Sequence, residues 1–123
     1  MTSQTKDDRK ALIREYKQTP KEMGVYLIRN TANQKCYVAS SRDITARFNR
    51  HRMELRTNSE RAPGLQQDWN QFGEAAFEFE KLDVLEPSKQ ADYNPTDDLQ
   101  VLEDLWLEKL QPFAERGYNK KPA

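Results

Sequence analysis

The sequence predicts an α/β chain of the α+β type: a small three-stranded antiparallel sheet flanked by helices. Three observations carry this. Two short apolar runs, 24–30 and 35–40, are joined by the polar tetrad Thr31-Ala32-Asn33-Gln34, the pattern of a hairpin. Phe77-Glu78-Phe79-Glu80 alternates strictly, as a half-buried strand does. Four further segments carry apolar residues at helical spacing, with breaker residues between them. The expected order is α-β-β-α-α-β-α, with residues 1–22 as a helical extension and 23–123 as the domain.

Each element has a local reason. Thr5 or Ser3 can cap a helix over 6–17, and Asp7 and Asp8 suit its positive end. Leu12, Ile13 and Tyr16 give it a narrow apolar stripe, and Pro20 stops it. In the hairpin turn, Asn33 tolerates left-handed backbone angles. Ser41 or Asp43 can cap a helix over about 43–56, where Ile44, Phe48, His51 and Leu55 share one face. Ala62-Pro63-Gly64 breaks the chain. Leu65, Trp69 and Phe72 then mark the inward face of a short helix that Gly73 ends. A strand is expected over 76–82 and a loop over 86–95, which holds Pro87 and Pro95. Thr96 can cap the last helix, about 97–110, with Asp97 and Asp98 in its first turn. Leu99, Leu102, Leu105, Trp106 and Leu110 are its expected buried stripe.

Composition frames function without choosing it. A chain of 123 residues makes one domain with one core. The formal net charge of zero excludes a globally cationic protein, so nucleic-acid binding would need a local basic face. The single Cys36 excludes an internal disulfide and reads as a packed thiol. No apolar stretch is long enough for a membrane span, and the N-terminus lacks the apolar region of a signal peptide. A soluble cytoplasmic protein, with no membrane partner, is the expectation.

Several residues stand out as chemistry. Tyr26 and Tyr37 lie on neighbouring strands, where they are ordinary strand aromatics or a paired phenol site. A phenol, with a pKa near 10, works as a base only beside a cation or metal. Arg47 falls about 60° round its helix from Ile44, at the border of the apolar stripe. There it can snorkel toward a cleft and offer its planar fork to a phosphate. His51 follows one turn later, as a structural histidine or a catalytic one. Glu103 interrupts an otherwise apolar side of the last helix, at the solvated edge or as the lone carboxylate ligand of Mg²⁺ or Mn²⁺. Asp104 and Glu108 are its rivals by type. Segment 42–61 holds six arginines, no lysine and three carboxylates. Arg42, Arg50, Arg52 and Arg56 are therefore expected to bind nucleic acid, unless the run is only a solvated face.

The series Gly24-Val25-Tyr26, Tyr37-Val38-Ala39, Arg47, His51, Glu103 and Gly117-Tyr118-Asn119 resembles the GIY-YIG nuclease superfamily over roughly residues 23–119. The resemblance implies a three-stranded core and a metal-dependent endonuclease acting on DNA. It implies that Tyr26 positions or deprotonates the attacking water and that Tyr37 completes the site. Arg47 then stabilises the developing charge, and His51 contacts phosphate or assists proton transfer. Glu103 holds the metal, and Asn119 orients the site. Two departures bear on this. Ala39 stands where the family usually has glycine, and the chain shows no appended DNA-binding domain, which leaves targeting to a partner protein. The alternatives are a catalytically weak nucleic-acid-binding module and a protein-interaction domain.

Overall fold

The computed structural model describes residues 21–121 apart from 87, 89 and 91. The helix expected over 6–17 lies outside these residues. Strands β1 (Gly24–Asn30), β2 (Cys36–Ser41) and β3 (Phe77–Val84) form one antiparallel sheet in the order β2-β1-β3. Helices α1 (Ile44–Arg56), α2 (Pro63–Phe72) and α3 (Thr96–Leu110) complete the domain, with short 3₁₀ turns at Glu74–Ala76 and Ala114–Arg116. The fold class is as the sequence predicts. None of the described helices is long and apolar enough to cross a membrane.

The central strand explains the layering. β1 is buried along nearly its whole length, so it must be covered on both faces. Its alternate residues point to opposite sides. Tyr26 and Ile28 join Ile44, Phe48 and Leu55 of α1, Leu65 and Trp69 of α2, and Phe77 in one cluster. Val25 and Leu27 join Cys36 and Val38 in a second, packed against Leu102, Trp106, Leu107 and Leu110 of α3. Tyr26 pairs with Ala39 and Ile28 with Tyr37, which sets the two tyrosines diagonally on the α1 face.

Local chemistry fixes the ends. Asp43 caps α1 by accepting the Ala46 N–H, while the Ser41 hydroxyl accepts the Asp43 N–H, so the two cap candidates act in series. Gly24 has φ 153°, and a side chain there would strike the Asp83 carbonyl of β3. A bulge opposite Val25 and Tyr26 takes up one extra residue of β3, which runs two residues beyond the expected strand end. α3 ends at Gln111 in the left-handed region, followed by Pro112.

Four expectations are corrected. In the hairpin turn Gln34, with φ 65°, takes the left-handed conformation. Asn33 instead uses its side chain to accept the Lys35 N–H and to donate to Asp68. Phe72 is exposed, because α2 turns its inward face through Leu65, Gln66 and Trp69. Leu105 is 58% exposed, and Leu107 takes its place against the sheet. Thr96 is the first residue of α3, not its cap, and the Asn94 side chain accepts its N–H.

The outer edge of β2 is closed by side chains and by the C-terminal segment. Cys36 pairs with Gly117 in a short parallel bridge, and the Tyr118 N–H donates to the Cys36 carbonyl. A side chain at Gly117 would strike the Pro112 and Cys36 carbonyls, so only glycine permits this approach. The Asn119 amide accepts the Val38 N–H at 2.8 Å and donates to the Val38 carbonyl at 2.7 Å. Glu103 accepts the Ser40 N–H at 2.8 Å and the Ser40 hydroxyl at 3.2 Å.

Candidate active site

A cleft of about 610 Å³ lies where β2, α1, α3 and the C-terminal segment meet. α1 supplies Arg47, Arg50 and Glu54, spaced i, i+3 and i+7, so they share a face. β2 supplies Tyr37 and Ala39, α3 supplies Glu103, and the C-terminal segment supplies Tyr118, Asn119 and Lys120. Glu60 and Arg61, in the loop before α2, close the remaining side.

Tyr37, Arg47, Glu103 and Asn119, far apart in sequence, therefore converge on one cavity. Asn119 acts there through the backbone of Val38, the residue after Tyr37, and so holds the Tyr37 strand in place. Glu103 likewise grips Ser40, the residue after Ala39. Its second carboxylate oxygen accepts from Gln100 at 3.3 Å. Among the described residues no three His, Cys, Asp or Glu side chains gather as a metal site. A metal held here would take one protein carboxylate and draw its other ligands from water and substrate, a donor set that suits Mg²⁺ or Mn²⁺.

Tyr26 and His51 sit behind the cleft wall. Tyr26 is fully buried, and its hydroxyl lies 2.8 Å from His51 Nε2. The His51 ring packs between the two tyrosines, with centroids 5.6 Å from Tyr26 and 5.7 Å from Tyr37. His51 Nδ1 lies 2.8 Å from Glu60 Oε2, with side-chain exposures of only 3% and 6%. The Glu60 backbone N–H donates to Gln66, which anchors the loop to α2.

The electrostatics follow from this packing. Burial pushes the Tyr26 phenol up to about 12, although the Arg47 guanidinium beside it pulls the other way. Burial also raises the Tyr37 phenol, and the Glu60 charge adds to the effect. Both tyrosines are therefore neutral hydroxyls at neutral pH. Burial works against the Arg47 charge, but the facing phenols and Glu54 outweigh it, so the guanidinium is held more firmly charged than usual. Burial works against the Glu60 carboxylate too. The His51 ring, the Ala62 N–H and Arg47 outweigh it and hold Glu60 below the usual glutamate range.

Of the four arginines expected to bind nucleic acid, only Arg50 lines the cleft, and it pairs with Glu54 at 2.7 Å. Arg42 bonds Asn94, Arg52 lies 4.2 Å over the Phe79 ring, and Arg56 pairs with Glu74. Arg61 and Lys120 are cleft cations that the sequence reading did not single out. It also missed Glu60. The available signal was His51 itself, because a buried imidazole needs a partner on each nitrogen. Tyr118, between Gly117 and Asn119, has a structural part. Its hydroxyl donates to Asp68 at 2.7 Å and accepts from Asn30 at 3.1 Å, which pins the C-terminal segment to α2 and β1.

Comparisons with known proteins place the family and the fold. The GIY-YIG catalytic domain matches residues 22–119. Intron-associated endonuclease 1 of Enterobacteria phage T4 is 31% identical over 96 residues, which are 78% of this chain and 36% of that protein. The chain thus spans about a third of the length of the curated relative it matches. The structure of the catalytic domain of homing endonuclease I-TevI aligns with a TM-score of 0.67 at 29% identity, over 81% of this chain and 99% of that one. A mutant of the catalytic domain of intron endonuclease I-TevI aligns with a TM-score of 0.66 at 28% identity, over 80% and 92%. The match over residues 22–119 and the shared fold show that the chain belongs to the GIY-YIG family and spans its catalytic domain.

Proposed function

We propose that the cleft hydrolyses phosphodiester bonds in DNA with a divalent metal. The observation that carries this reading is the convergence of Tyr37, Arg47 and Glu103 on one cavity from three separate elements. DNA is favoured over RNA by the endonuclease relatives.

Each side chain has a role its position allows. The Tyr37 hydroxyl reaches the cleft and holds the attacking water or a phosphate oxygen by hydrogen bonding. Tyr26 acts from behind the wall, through His51, which packs on Tyr37, and not by contact with solvent. Arg47 faces the scissile phosphate with a rigid donor fork, where it stabilises charge that grows in the transition state. Arg50, Arg61 and Lys120 bind the flanking phosphates. Glu103 would hold Mg²⁺ or Mn²⁺, which supplies Lewis acidity and a more acidic water. Asn119 and Ser40 keep the β2 edge, and with it Tyr37 and Glu103, in register.

Plasmid nicking with and without Mg²⁺, with Glu103→Gln beside the parent, tests the reading. The glutamine keeps an acceptor for Ser40 and removes the charge, so the expected result is a folded protein that does not cleave. Glu103→Ala should also lose about 1–2 kcal/mol of stability, because Ser40 gives up a charged acceptor. Metal-independent nicking, or wild-type cleavage by Glu103→Gln, would defeat the proposal.

One observation favours a second reading, a nucleic-acid-binding module with weak catalysis. The methyl group of Ala39 stands on the cleft wall. If it limits approach of the phosphate, Ala39→Gly should raise turnover at a stability cost of up to about 1 kcal/mol. No cleavage by either protein, with Mg²⁺ or Mn²⁺ on several DNA and RNA substrates, would favour the binding module.

A further inference from the structure

We infer that Glu60 is a positioning residue: its carboxylate fixes His51 as the Nδ1–H tautomer, which turns the Tyr26 hydroxyl into a donor to Nε2 and fixes the imidazole that packs between Tyr26 and Tyr37. The functional half of this inference rests on the nuclease reading, because Tyr37 lines the cleft.

The argument is one of donors and acceptors. Glu60 and His51 are more than nine-tenths buried, and Glu60 Oε2 lies 2.8 Å from His51 Nδ1. An ionised carboxylate only accepts, so Nδ1 carries a proton. In a neutral imidazole the other nitrogen is then an acceptor, and among the described residues the group on it is the Tyr26 hydroxyl at 2.8 Å. Tyr26 has a single proton and spends it on Nε2. Both bonds in the series Tyr26, His51, Glu60 then run in one direction and end on the carboxylate. With the opposite tautomer, Nε2–H would point at the Tyr26 oxygen and Nδ1 would set a lone pair against the Glu60 carboxylate. The tautomer thus decides how the Tyr26 hydroxyl and the imidazole packed against Tyr37 are held.

His51 is the only histidine in the chain, so imidazole ¹⁵N spectra report on it alone. At mildly alkaline pH the parent protein should show protonated Nδ1 and unprotonated Nε2. Glu60→Gln offers both a donor and an acceptor, so it should lose the single tautomer. Its kcat should fall roughly 10- to 100-fold with KM little changed, by analogy with carboxylates that orient metal-bound histidines. Tyr26→Phe removes the far partner and leaves the carboxylate, so it should keep the Nδ1–H tautomer. An Nε2–H tautomer or an imidazolium in the parent would overturn the inference. So would a tautomer lost in Tyr26→Phe, or a Glu60→Gln protein that cleaves at the parental rate. The spectra need no substrate: a parent that fails to cleave would count against the nuclease reading and leave the imidazole signals to decide the tautomer.

Discussion

The two faces of the sheet are built on different physics. On the α3 face, Val25, Leu27, Cys36 and Val38 meet an apolar helix stripe, and polar contacts lie at its rim, from Trp106 Nε1 to Asp83 and from Ser40 to Glu103. On the α1 face, apolar packing surrounds buried His51, Asn30 and Gln66 and gives way to a charged cleft. The α3 face is held by removal of apolar surface from water, which is non-directional and tolerates swaps of equal volume. The α1 face adds hydrogen bonds that fix orientation, and among the described residues no buried side-chain polar atom lacks a partner. One face makes the domain stable and the other makes it specific.

Substitutions should separate the two. Leu27→Ala, on the fully buried α3 face, should cost about 2–5 kcal/mol in chemical denaturation, with cleavage per folded molecule unchanged. A matching loss of activity well below the melting temperature would show that the faces are coupled. Arg47→Ala should do the reverse. Stability should barely move, while cleavage should fall by roughly 10²–10³, or about 2.7–4 kcal/mol of barrier. Arg47→Lys should not restore it, because lysine lacks the planar fork. Near-full activity in the lysine protein would reduce Arg47 to a point charge.

The smallest effect is absent at neutral pH. Glu60 is held below the usual glutamate range, so its stabilising contribution is complete above about pH 4.5 and is lost as the pH falls through its folded value. Tyr26 has the opposite sign. Its contribution is complete below about pH 10 and is lost as the pH rises toward about 12. Tyr37 and Tyr118 add to the alkaline loss, since both are raised by burial. Circular dichroism with tyrosinate absorbance would follow the alkaline limb. Glu60→Gln should flatten the acid limb and leave the alkaline one in place.

Much of this was legible in the sequence, for stated reasons. The hairpin, the Phe-Glu alternation and the helix over 44–56 carry periodicities that survive into the fold. Arg47 is marked by its angle, at the border of a stripe, and by its spacing from Tyr37 in the family resemblance, and the structure puts it on the cleft wall. What failed were positions decided by a second element. Leu105 and Phe72 fit their helical stripes, but α3 and α2 meet the core along narrower lines. Glu60 sits in an irregular loop with no period to mark it, and it meets His51 only because the chain turns back before α2. The arginines of 42–61 read as one track, yet Phe79, Glu74 and Asn94 claim three of them from other parts of the chain.

The bonds that Glu103 and Asn119 make to β2 also bear on solubility. An uncovered strand margin is a template for pairing with a second chain, and here the groups that cover it also line the candidate cleft. A copy of this domain that drifted toward inactivity could lose Arg47 freely. It could not lose Glu103 or Asn119 without baring the backbone of Ser40 or Val38 to intermolecular pairing. Selection against aggregation would then preserve half of the candidate site after selection for cleavage had ceased.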